Sequence, residues 1–285
     1  MKLMNLPSKE AFLASLQKEI QDETLVLPTF PDVALKAREA ANNENITAEQ
    51  LATIINTDAA LSARLLKVAN SPLFRARNKI DNIQVALTRL GHRVVRNLIM
   101  SITVEQMFQA ESKIMAERFK KAWQHSIQVA AFSRVLAMSL PDLDPEQAML
   151  AGLIHDIGVL PILLKAEKHD QLMAQPEALD NLIDELHTQV GALIVEHWDF
   201  PKSLTNVVLE HENLYRDPQP EADYSDVVLV ANLQTPSREQ HKNNHLDWSK
   251  IPAFKKLGLD HEVDVITIEG VPEKIEEVEE IFITA

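Results

Sequence analysis

The sequence predicts an all-α fold, and three observations carry that expectation. Helix-favouring Ala, Leu, Glu, Lys, Gln and Met dominate, while glycine occurs only 6 times in 285 residues. Apolar residues recur at i, i+3, i+4 and i+7 in one segment after another, and β-branched runs with a period of two are scarce. A hydrophobic content of 46% is enough to fill a substantial core.

Phe12, Leu13, Leu16 and Ile20 share one face of a first helix, within an N-terminal segment 1–23. Pro28 and Pro31 then interrupt. Thr47 and Gln50 form a capping-box pattern ahead of Leu51, Ile54 and Ile55, and Asp58 caps a helix bearing Leu61, Leu65, Leu66 and Val68. Asn70-Ser71-Pro72 stops that helix. Ile83, Ala86, Leu87 and Leu90 mark the next, which Gly91 ends, and a further helix runs from about His92 to Met107. These short helices make an N-terminal lobe over residues 24–110.

The helices lengthen in a second lobe, residues 111–235. One stripe holds Phe119, Trp123, Ile127, Ala131 and Arg134, and another Ala122, His125, Val129, Phe132 and Leu136, so this helix is surrounded by others and His125 lies inside. Asp144-Pro145 starts a helix whose apolar run ends in His155 and Asp156. Ile183, Leu186, Val190, Leu193 and Ile194 mark another, which carries His187 one turn from Gly191. Leu204, Val207, Val208 and His211 share a face of the helix after Pro201, and Val227 to Leu233 belong to one more. Residues 236–285 read as an appended extension: polar Ser237 to Asn244, a hint of strand at Val263, Val265 and Ile268, and a Glu-rich helix from Val271 to Ile281 that serves solubility.

The net charge of −14, from 28 basic and 42 acidic residues, repels phosphate backbones and anionic lipid over most of the surface, which weighs against nucleic-acid and membrane partners. Met1 to Leu6 lack a leader pattern, and the most apolar window, Ile127 to Leu140, is broken by Arg134; a cytoplasmic protein without a membrane span is expected. The absence of cysteine excludes disulfides, thiolate metal sites and cysteine nucleophiles. Two basic clusters, Lys67-Arg75-Arg77-Lys79 and Arg89-His92-Arg93-Arg96, read as solvated faces, with docking of an acidic partner or a phosphate as the alternative.

His125, His155, His187 and His211 lie at or beside apolar helical faces, and Asp156 adjoins one of them. Taken singly, each histidine is accounted for as a hydrogen-bonded core residue. Together on successive helices, with a carboxylate, they make a nitrogen-rich ligand set suited to Fe, Mn, Zn or Ni. A metal, a substrate or an internal hydrogen-bond network would each satisfy them.

The order His125, Gly152-Leu-Ile-His155-Asp156-Ile-Gly158, His187 with Gly191, Trp198-Asp199-Phe200-Pro201 and His211-Glu212 resembles the HD superfamily of metal-dependent phosphohydrolases, near its HD-GYP branch. Leu27-Pro28-Thr29-Phe30-Pro31, Ile55-Asn56-Thr57-Asp58, Ala69-Asn70-Ser71-Pro72 and Ala86-Leu87-Thr88-Arg89-Leu90-Gly91 are similar to the HDOD family, and the likeness spans about residues 24 to 235. The resemblance implies a metal held by His125, His155, Asp156, His187 and His211, with Glu210 and Asn232 as further candidates. Four departures accompany it. Val159 stands where catalytic relatives place a phosphate-facing lysine, Glu210-His211-Glu212 replaces a His-His-Glu, the Gly-Tyr-Pro signature is missing, and Asn232 replaces the closing aspartate. The expectation is a signalling or regulatory HDOD protein that contacts signalling proteins, with a degenerate metal site and no catalysis. The alternatives are a divergent phosphohydrolase of a nucleotide or cyclic dinucleotide, in which Asp156 would be catalytic, and a scaffold whose histidines form a hydrogen-bond network.

Overall fold

The computed structural model describes residues 9–22, 32–43, 45–74, 79–107, 113–235, 246–262 and 264–283, and among them finds α-helices and short 3-10 turns but no strand. The first-lobe helices are α1 (Lys9–Gln21), α2 (Asp32–Ala41), α3 (Ala48–Ile55), α4 (Ala59–Ala69), α5 (Ile83–Leu90) and α6 (His92–Met107). Their starts follow the chemistry of the sequence. Thr47 and Gln50 form a reciprocal capping box on α3, and the Asp58 and Asn82 side chains accept the Leu61 and Val85 amides at the starts of α4 and α5. Asn70 ends α4 and also exchanges hydrogen bonds with the Ile80 backbone at 2.7 and 2.8 Å, so this helix stop also pins the returning chain. Pro28, Pro31, Arg75, Arg77, the Leu27–Pro31 motif and Ser237 to Asn244 lie outside the described residues, as does the Ile20 side chain.

The second lobe comprises α7 (Lys113–Ala137), α8 (Pro145–Ile154), α9 (Val159–Ala166), α10 (Asp170–Met173), α11 (Pro176–His197), α12 (Lys202–Glu210) and α13 (Tyr224–Gln234). Helix α7 packs along α8 and α13, as its two apolar stripes require, and Arg134 is neutralised by buried Glu146 at 2.9 Å. Helix α6 bridges the lobes, with α2, α4 and α5 on one side and α8 on the other. The helical stretch Pro145–Ala166, rather than the window at Ile127 to Leu140, is long and apolar enough to cross a membrane by length and composition. It is divided by a turn at residues 155–158, and 83% of its most apolar window is buried inside the protein.

Both ends of the described chain fold onto the second lobe. Helix α1 packs on α11, with Phe12 and Leu16 fully buried, and the buried Lys165 of α9 reaches back to Ser15 at 2.7 Å and to Glu19. The residues after 245 depart from the sequence expectation. There is no strand at Val265 or Ile268 but a 3-10 turn over Val265–Thr267, and Val263 lies outside the described residues. After α14 (Pro252–Lys256), helix α15 (Val271–Ile283) is no solubility tail: Val278, Ile281 and Phe282 are buried, and Phe282 meets Trp123 of α7 edge-to-face at 5.8 Å. The glutamates mark only its outer face. Replacing Phe282 by Ala is expected to lower the free energy of unfolding in urea by about 3–5 kcal/mol, whereas Ile266→Ala, at an exposed site, should stay within about 0.5 kcal/mol.

Candidate metal centre

Four helix termini and faces converge on Asp156. Helix α8 is buried along nearly its whole length, so it runs through the lobe and delivers His155 as its C-cap, with Asp156 in the turn that follows. Glycines set the spacing. A Cβ on Gly152 would stand 2.6 Å from the Ala130 Cα of α7, and one on Gly158 would stand 2.0 Å from the His187 carbonyl oxygen and 2.5 Å from the Gly191 amide nitrogen. The α8 backbone can therefore lie against α7 beside His125, and the start of α9 against α11 beside His187, only because these positions lack side chains. His211 closes the set as the C-cap of α12.

The ring orientations follow from backbone carbonyls. Nδ1 of His155 lies 2.7 Å from the Gly152 oxygen, Nδ1 of His187 2.8 Å from the Ile183 oxygen, and Nδ1 of His211 3.1 Å from the oxygens of Val207 and Val208. With each Nδ1 against a carbonyl oxygen, Nε2 is the ring nitrogen that faces inward. Asp156 Oδ2 lies 3.8 and 3.4 Å from Nε2 of His125 and His155, and Oδ1 lies 3.5 and 3.2 Å from Nε2 of His187 and His211. Within the pairs the Nε2 atoms are 3.2 Å apart for His125 and His155 and 3.3 Å for His187 and His211. For the second pair both Nδ1 atoms lie against carbonyls, so two Nε2 atoms and a carboxylate oxygen face one another where a shared proton or a metal ion would satisfy them.

Electrostatics point the same way. Burial pushes the His155 imidazole well below its usual value, with His211 and His125 adding to the shift against the pull of Asp156. Burial would raise the Asp156 carboxyl, but His155, His211 and His187 hold it well below the ordinary carboxylate range. A neutral imidazole beside an ionised carboxylate is the protonation state in which such groups ligate a metal. His125 and Asp156 are the partly exposed members, at 18% and 21% of their side chains, so the centre opens to solvent beside them.

The structure thus brings His125, His155, Asp156, His187 and His211 together, as two groups that share Asp156. It does not bring Glu210 into either group, because that carboxylate accepts from Arg216 Nε at 2.8 Å. Asn232 is buried on α13, which packs against α7, α8 and α12, and its side-chain oxygen has no hydrogen-bond partner. Val159 is buried at the start of α9.

Sequence reasoning missed the support beneath the centre. The buried Arg216 guanidinium binds Glu210, Asp223 and Asp226, and Asp226, itself fully buried, also faces Lys256 of α14 at 3.6 Å. This network ties the segment after His211 to the start of α13. The Asp223-x-x-Asp226 capping pattern ahead of a long apolar run was its legible trace.

A family model described as HDOD domain matches residues 27–214. The solved structure of a candidate metal-dependent phosphohydrolase from Shewanella amazonensis SB2B is 28% identical with a TM-score of 0.81, covering 97% of this chain and 100% of that one. An uncharacterized protein of Treponema pallidum is 26% identical over 77% of this chain and 43% of its own length. Ribonuclease Y of Mycoplasma mycoides is 28% identical over 43% of this chain and 20% of its own. The chain therefore spans less than half the length of these two curated relatives.

Two outcomes are expected. Gly158→Ala should destabilise the protein by about 3 kcal/mol or more, since the clash is with backbone and no side chain can yield, as read by urea denaturation. Adding Mn, Fe, Zn or Ni to the metal-free protein should raise its unfolding free energy, by about 2.7 kcal/mol at a hundredfold excess over Kd, and Asp156→Ala should abolish that gain.

Proposed function

The chain belongs to the HDOD family, and from that premise we propose that it is a cytoplasmic regulatory protein that works through contacts with signalling proteins and keeps a metal centre without hydrolysing a phosphoester. The observation that carries this reading is the contrast between the two halves of the site. The metal-facing half is largely kept: four imidazoles and one carboxylate gather as two groups that share Asp156, with Asn232 in place of the closing aspartate. The substrate-facing half is not. Val159, where the family resemblance expects a lysine, brings no charge or donor to a phosphate, and the Asn232 amide cannot take a proton as a general base.

A divalent ion, when bound, supplies Lewis-acid polarisation and lowers the pKa of bound water. The residues of this chain do the holding. The backbone carbonyls of Gly152, Ile183, Val207 and Val208 fix the rings of His155, His187 and His211, and Asp156 offers one oxygen to each histidine pair. Arg216, near in sequence to His211, is engaged by three carboxylates and is not a spare cation for a phosphate.

A second reading, a divergent metal-dependent phosphohydrolase, is favoured by one observation: a single carboxylate spanning two histidine pairs is a layout suited to two ions about 3.5–4 Å apart. The full chain, loaded with Mn, Fe, Zn or Ni, should retain metal by elemental analysis and show no hydrolysis of bis(p-nitrophenyl) phosphate, a cyclic dinucleotide or single-stranded RNA above the rate without protein. Hydrolysis that disappears in Asp156→Ala would overturn the first reading and establish the second; hydrolysis that persists in that variant would mark a contaminant and leave the first standing.

A further inference from the structure

Away from the metal centre, a cleft of about 290 Å³ opens between the two lobes. Arg38 of α2 and Arg96 of α6 face it from the first lobe, and Gln147 of α8 and Phe200 from the second. The guanidinium of Arg38 donates to the Trp198 carbonyl and lies 5.4 Å above the Phe200 ring. That of Arg96 donates to the Asn42 side-chain oxygen at 2.7 Å and to that of Asn97 at 3.3 Å. Both cations are positioned by neutral groups, and neither forms an ion pair among the described residues. The two half-buried guanidiniums are thus held by neutral hydrogen-bond acceptors and keep donors free for an anion.

Three further features mark the cleft as built for a guest. Asn97 in its wall is 2% exposed, and its amide nitrogen has no hydrogen-bond partner, a deficit that a ligand or a water would remove. The turn that carries the Trp198 carbonyl passes through Asp199 at φ 52, the positive-φ non-glycine among the described residues. Burial lowers the Arg96 guanidinium, and the charges of Arg93 and Arg38 push the same way against Asp144, so like charges are held close enough to repel.

We propose that this cleft binds a phosphorylated small molecule of mononucleotide size, its phosphate taken by Arg96 and Arg38 together. Guanidinium forks match phosphate oxygens in geometry and charge. The exposed Glu39 and Asp199 also line the cleft. They accept from ligand hydroxyl or amino groups, and they offset the two arginines, so a monophosphate is favoured over a polyphosphate. Because α2 and α6 contribute one wall and α8 with the Asp199 turn the other, the ligand ties the lobes together.

Isothermal titration of the full chain with AMP, GMP, ATP and inorganic phosphate tests this. AMP or GMP should bind one per chain and more tightly than ATP. Arg96→Gln and Arg38→Gln should each weaken that binding at least about tenfold, with folding checked by circular dichroism, while EDTA leaves it unchanged in the unsubstituted protein. If Arg38→Gln unfolds, Arg96→Gln decides alone, since its partners Asn42 and Asn97 hold no structural ion pair. No binding of either monophosphate at millimolar concentration would overturn the proposal. So would binding that survives Arg96→Gln, or binding that EDTA abolishes, which would move the ligand to the metal centre.

Discussion

An ionised carboxylate can sit among imidazole acceptors inside a protein only if a cation completes the group or the surroundings are fixed against rearrangement. Asp156 is in that position, and the second lobe is organised around it. The rings of His155, His187 and His211 are each turned by a backbone carbonyl, so their orientation is decided by where a helix ends or passes rather than by side-chain choice. Helix approach is decided in turn by Gly152 at α7 and by Gly158 against α11. The Arg216 network then fixes the segment that follows His211. Geometry at the centre is thus inherited from backbone packing, which is a stiffer source of precision than rotamer preference.

Much of this was legible in the sequence because it is local. The capping signals at Thr47, Asp58 and Asp144 start the helices where expected, and the paired stripes on α7 correctly describe a helix covered on several sides. The five residues grouped at the centre were named from their spacing and from the family resemblance. What escaped is what only tertiary structure creates. Glu210 reads as a spare ligand until Arg216, six residues on, is seen to take it. The last helix reads as a solvated acidic segment because of its run of glutamates from Glu273 to Glu280, although Val278, Ile281 and Phe282 are buried and Phe282 meets α7. Arg38 and Arg96 are more than fifty residues apart in the chain, and only the docking of α2 on α6 brings them to one cleft.

The two lobes differ in what they ask of polar side chains. In the first, polar groups terminate helices or pin loops, as Asn70 does for Ile80. In the second they form buried clusters: the acceptors at Asp156, and Arg216 with its carboxylates. Such clusters leave strict requirements on partner and geometry, and removing one member strands the others.

The contact between Trp123 and Phe282 has a consequence for how the protein is made. More than half of the chain separates those two rings, yet α7 is also the helix that carries His125. During synthesis α7 emerges early, with a face that stays uncovered until α15 has left the ribosome. The second lobe therefore cannot finish folding domain-first as the chain grows. Its apolar face must be kept from other nascent chains in the interval, and a transcript truncated before α15 would yield a product open to aggregation and proteolysis.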